Sequence, residues 1–147
     1  MSHQTARGPV LESRIHRAAD AYLEEFYESG RSRQEGEEMA RVNLTKAQVR
    51  GFETLAKSTP RFSEIINYIK NQAGKEARGK DQWVRVAPGL LSQLEDIEAK
   101  AKELGEGDPE KTLLLKLKLA RGWAGQVVTH YLFSKAQQEA AGGQQWS

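Results

Sequence analysis

The chain has 147 residues, 38% apolar and 29% charged, with a net charge of +2 and no cysteine. That length suits one domain with a modest core. The missing cysteine excludes disulfides, thiolate metal sites and a cysteine nucleophile, and it fits a reducing compartment. No apolar run reaches the roughly 20 residues of a membrane span, and the opening MSHQTARGPV lacks the apolar stretch of a secretory signal. A soluble, cytoplasmic protein is expected.

The predicted fold class is all-α: a compact bundle of about five helices with a long C-terminal helix. The first helix is expected from Pro9 to Ser29, with Leu11, Ile15, Ala18, Tyr22 and Phe26 at helical spacing and Gly30 as the stop. Residues 30–43 are polar with almost no apolar anchor, and read as a linker or loosely held segment. Thr45 and Gln48 then form a T-x-x-Q capping box, with Leu44 and Val49 placed as a hydrophobic staple. The helix they open buries Val49, Phe52, Leu55 and Ala56. Lys46, Arg50 and Lys57 share another face, which Glu53 interrupts.

Thr59-Pro60 restarts the chain as a third helix, with Pro60 in its first turn and Phe62, Ile65, Ile66 and Ile69 as its apolar stripe. Residues 74–87 read as a loop carrying Lys75, Arg78, Lys80, Arg85 and Trp83. Pro88 is expected to open the fourth helix, lined by Leu91, Leu94, Ile97, Ala101 and Leu104 and closed by Gly105. Asp108-Pro109 caps the fifth, which runs to Gly142-Gly143 and is apolar nearly all round. Part of its burial is expected from another subunit. Three regions follow: 1–43, an N-terminal helix and polar linker; 44–141, a helical core; 142–147, a mobile tail.

Charge is unevenly spread. Residues 41–86 hold ten Lys/Arg against four Asp/Glu, a net of +6, while residues 11–40 and 91–110 are net −4 and −5. A concentrated positive zone on a nearly neutral chain points to a polyanion held at one surface. The alternative is an ordinary solvated face partnered by the acidic segments. The candidate contact residues are Lys46, Arg50, Lys57, Lys70, Lys75, Arg78, Lys80 and Arg121. Lys116 and Lys118 are possible extensions, with Lys116 turned away from the other two.

Trp83 can stack on a base or anchor its loop to the core, and the core reading is preferred. Trp123 belongs to the core. Gly122 and Gly125, with Ala120 and Ala124, form a small-residue strip where another helix can approach. His130 is expected to pack with a satisfied hydrogen bond. Phosphate-binding, dinucleotide and nucleophile-elbow motifs are absent, and the three histidines show no ligand spacing. The sequence therefore offers no catalytic residue, no metal site and no cofactor.

Two stretches resemble the small helical subunit of type III (Csm-like) CRISPR–Cas effector complexes. Leu44-Thr45-Lys46-Ala47-Gln48-Val49-Arg50 is similar to that family's L-T-x-x-x-[IV]-R helix opening. Val128-Thr129-His130-Tyr131 is similar to its closing alanine-tyrosine-histidine element, and Ala73-Gly74-Lys75 to a central A-G-R turn with Lys75 in the arginine's place. The likeness spans residues 40–136. It implies a noncatalytic subunit that stacks along the backbone subunits, beside a large subunit and copies of itself, and lines the channel for guide RNA paired to target RNA. Arg50 and Lys75 carry over from motif positions, whereas the other six candidates rest on charge and placement. Their role would be sequence-independent phosphate contact. Two readings compete: a helix-turn-helix DNA-binding protein built from residues 45–73, and a purely structural helical adaptor whose charges meet other proteins.

Overall fold

The computed structural model describes the backbone of residues 2–146 and the side chains of residues 11–142. Those residues form six helices and no strand: α1 (Ser2–Glu28), α2 (Arg31–Arg41), α3 (Lys46–Ser58), α4 (Phe62–Gly74), α5 (Gln82–Gly105) and α6 (Pro109–Trp146). The all-helical architecture and the long last helix agree with the sequence reading. Among the described residues, no helix is long and apolar enough to cross a membrane.

Helix α6 is the axis of the bundle and touches each of the other five. Its 38 residues span roughly 57 Å at 1.5 Å per residue. Leu115, Leu119, Trp123, Val127 and Tyr131 are buried on successive turns, and Leu117, Ala120, Ala124 and Val128 are buried between them. The all-round apolar pattern is thus largely satisfied within one chain. Leu113, Leu114 and Phe133 remain exposed. The helix continues past Gly142-Gly143 to Trp146, so the glycines do not end it. The mobility expected of the tail falls mostly outside the described side chains.

The largest departure is α2. The segment read as a polar linker is a helix packed between α6 and α5. Its buried stripe is Ser32, Glu35, Gly36, Met39 and Ala40. Ser32, Gly36 and Ala40 follow one another at i, i+4 and i+8, so small side chains let two backbones meet where large apolar ones would hold them apart. At Gly36 a Cβ would come within 2.5 Å of the Val127 carbonyl oxygen and 2.7 Å of the Tyr131 nitrogen. A buried relay adds direction. Trp123 Nε1 donates to Gln93 Oε1 at 2.8 Å, and Gln93 Nε2 donates to the Arg31 carbonyl at 2.9 Å. One glutamine thereby ties α6, α5 and α2 together.

Other boundaries shift for local reasons. Helix α1 starts at Ser2, seven residues before Pro9, and ends where Gly30 takes φ 80°. Helix α4 starts at Phe62, so Pro60 lies in the preceding break. Helix α5 starts at Gln82, leaving Pro88 inside it. The loop read over 74–87 is therefore short, and Trp83 is 1% exposed in the core, edge-on to Tyr68 at 6.0 Å. Asp108 caps α6 as expected, its Oδ1 accepting from the Glu110 and Lys111 nitrogens. Of the small-residue strip, Gly122 makes room for Leu23 of α1, while Gly125 faces open space.

Candidate nucleic-acid interface

Helix α3 is oriented by the capping box the sequence announces. The Gln48 nitrogen donates to Thr45 Oγ1 at 3.2 Å, and the Thr45 nitrogen donates to Gln48 Oε1 at 2.8 Å. Leu44 and Val49 are fully buried on either side of the cap. With Val49, Phe52 and Ala56 inward, Lys46, Arg50 and Lys57 are left on the solvent side.

Glu53 does more than interrupt them. Its carboxylate accepts from Arg50 at 2.8 Å and from Lys57 at 3.1 Å. Partial burial alone would raise the Glu53 pKa, but these two donors outweigh it and hold the carboxyl below the ordinary glutamate value. Lys46 lies 3.5 Å from Glu139 of α6. These three cations thus face two carboxylates, although exposed pairs of this kind contribute only about 0–1 kcal/mol and do not lock the side chains.

The connection between α4 and α5 differs. Its glutamate, Glu76, turns onto the start of α5: Oε2 accepts from the Gln82 and Trp83 nitrogens at 3.0 and 2.8 Å, and Oε1 from the Val84 nitrogen at 3.0 Å. One carboxylate thus satisfies three of the four unpaired N–H groups at a helix start. Asp81 supplies no side-chain cap and takes φ 38°; Gly79 takes φ 90°. The Gln82 amide fastens this corner to the α2–α3 turn, donating to the carbonyls of Val42 and Asn43 at 3.0 and 2.9 Å. Lys75, Arg78 and Lys80 project from it, exposed. Among the described residues no ion pair joins them, or Lys70 on α4, to a carboxylate.

Arg121 lies apart from that corner. Its Nη2 reaches the Thr59 carbonyl at 3.4 Å, at the far end of α3. Lys118 faces α1, 3.2 Å from Asp20, and Lys116 is 3.2 Å from Glu98, so neither extends a patch around Arg121. The eight candidates therefore separate. Lys70, Lys75, Arg78 and Lys80 are unengaged; Lys46, Arg50 and Lys57 are paired with carboxylates; Arg121 is exposed, makes one long hydrogen bond to a backbone carbonyl and has no ion pair among the described residues.

The stretches 44–50 and 128–131 meet in space. Tyr131 is fully buried, and its hydroxyl donates to the Leu44 carbonyl at 2.5 Å. Their residues are thus chiefly packing and capping groups. Family models, curated proteins and solved structures yield no match to this chain. His130, next to that tyrosine, stacks on Tyr27 with ring centroids 5.3 Å apart. Its buried Nε2 has no hydrogen-bond partner, contrary to the satisfied bond expected. Burial first, then Arg33, lower its pKa, against the opposing field of Glu37.

Proposed function

We propose that this chain is a noncatalytic RNA-contacting subunit, a small helical component of a type III CRISPR-like effector complex. In it the α4–α5 corner would face the phosphate backbone of guide RNA paired to target RNA. The observation that carries this reading is the unpaired cationic corner. Lys75, Arg78 and Lys80 are exposed on a short connection whose own glutamate is withdrawn into a helix cap. Lys70 adds a fourth charge on the helix before it. Such a surface suits phosphate contact without base readout. Arg50 and Lys57 would join by exchanging Glu53 for phosphate. The CRISPR assignment itself rests on the likeness of residues 44–50, 73–75 and 128–131. Residence in the cytoplasm, and contact with backbone and large subunits and with copies of itself, belong to the same proposal.

A helix-turn-helix reading is less well supported. The first turn of α4 presents Glu64, bonded to Thr59 and paired with Arg61, where a DNA-reading helix would meet a phosphate or a base edge.

The test is fluorescence anisotropy with RNA–RNA duplexes of two unrelated sequences, at several salt concentrations. Equal affinity for both is expected, with log K falling linearly in log salt. Replacing Lys75, Arg78 and Lys80 by Glu should weaken binding by about a hundredfold or more and flatten the slope, while thermal stability changes by less than about 0.5 kcal/mol. Unchanged RNA affinity in that variant would leave the adaptor reading in its place.

A further inference from the structure

Helices α2 and α5 enclose a cleft of about 390 Å³ that the RNA reading does not use. It is lined by Gln34, Glu35, Glu37, Glu38 and Arg41 of α2 and by Arg85 and Gly89 of α5. Glu35 is the odd member. The residue is 8% exposed, and its carboxylate rests against Gly89, where a Cβ would overlap both oxygens. Within the described residues it has no hydrogen bond and no ion pair.

Its neighbours are served: Glu37 lies 3.7 Å from Arg33, and Glu38 pairs with Arg41. Arg85 lines the same cleft without pairing to Glu35. The Glu35 side chain is mostly buried, but its oxygens open onto the cleft, where water, a proton or a cation that brings its own hydrogen bonds can serve them. Among the described residues no three carboxylates or histidines converge as ligands, so a metal ion is disfavoured. The cleft is far larger than a water molecule, and its floor offers two acceptor oxygens.

We propose that this cleft is a binding site for a primary ammonium or guanidinium group, with Glu35 as the anchoring acceptor and Glu37 and Glu38 as supporting charge near the mouth. The group can arrive on a small amine or on a lysine or arginine side chain of a protein. The missing Cβ at Gly89 is what allows Glu35 to sit at the floor.

The experiment is an NMR titration of the full chain carrying ¹³C-labelled glutamate, with the Glu35 carboxyl resonance assigned through Glu35→Gln. The probes are spermidine and, separately, a blocked tripeptide with a central lysine. The Glu35 signal should move and saturate with at least one probe: spermidine identifies the small-amine source, the tripeptide alone a protein side chain. Glu35→Gln should lose about tenfold or more in affinity, the share of one charge-assisted contact. Glu35→Asp, which keeps the charge but falls short of the floor, should bind in between. Glu37→Gln should stay within about threefold. RNA affinity should be the same in all three variants, which separates this site from the α4–α5 corner. A Glu35 resonance that neither probe moves at millimolar concentration would overturn the proposal. So would equal amine affinity in the wild type and Glu35→Gln, since the amine would then sit on diffuse surface charge.

Discussion

Helix α2 and the α4–α5 connection look alike in sequence, since both are polar, charged and poor in large apolar residues. In the fold they have opposite fates. Residues 31–41 are clamped between α6 and α5, whereas residues 75–81 stand out in solvent with three cations and no ion-pair partner. Small residues at helical spacing explain the first, and a carboxylate withdrawn as a helix cap explains the second. Polar composition therefore does not distinguish a buried helix from a solvated corner. What does is whether the backbone can come close to a neighbour.

The largest effect expected on that contrast is from Gly36→Leu. The side chain would enter the space of the Val127 carbonyl and His130 Cβ, 2.5 and 2.7 Å from a Cβ at that position. Overpacking at so tight a contact should cost about 3 kcal/mol, read as a lower urea midpoint with an unchanged m-value. A loss under about 0.5 kcal/mol would mean that α2 is only loosely held.

Glu76→Ala comes next. It removes three acceptor contacts from the start of α5 and should cost about 1–2 kcal/mol, with faster hydrogen exchange at Gln82, Trp83 and Val84. If exchange there is unaltered, Glu76 is merely another surface acid.

The smallest effect is pH-dependent. Burial raises the Glu35 pKa, against the field of Arg31. The folded state thus gives up this proton at a higher pH than the unfolded chain does. The penalty is absent below the ordinary glutamate pKa and grows as pH rises through the higher folded value. Glu35→Gln should therefore be more stable than the wild type at neutral pH, by a margin that vanishes on acidification. Arg31, Glu37, Glu38, Arg41 and Arg85 also lie around this carboxylate, so the comparison is made at fixed ionic strength. A margin that does not change with pH would place Glu35 in water.

How much of this was legible depended on range. The Thr45–Gln48 cap could be read because its partners lie within one turn, and so could Glu53 among the α3 cations. The burial of Trp83 was also legible. The small-residue stripe of α2 escaped because Ser32, Gly36 and Ala40 carry no hydrophobic signal until Val127 and Tyr131 are placed against them. The start of α5 escaped because Pro88 looked like an opening residue, while the real cap comes from Glu76, six residues before Gln82. The Lys46–Glu139 pair joins distant parts of the chain, and no local pattern announces it. The candidate cations were found by type. Their division into engaged and unengaged sets was not visible in the sequence.

The most direct measurement is an amide NMR titration of the full chain with an RNA–RNA duplex at low salt. The amides of Lys70 and of Lys75 through Asp81 should shift first and furthest, those of Arg50 and Lys57 less, and those of Met39 and Ala40 in buried α2 not at all. Shifts concentrated on α2 or around Arg121, with the α4–α5 corner silent, would contradict the account.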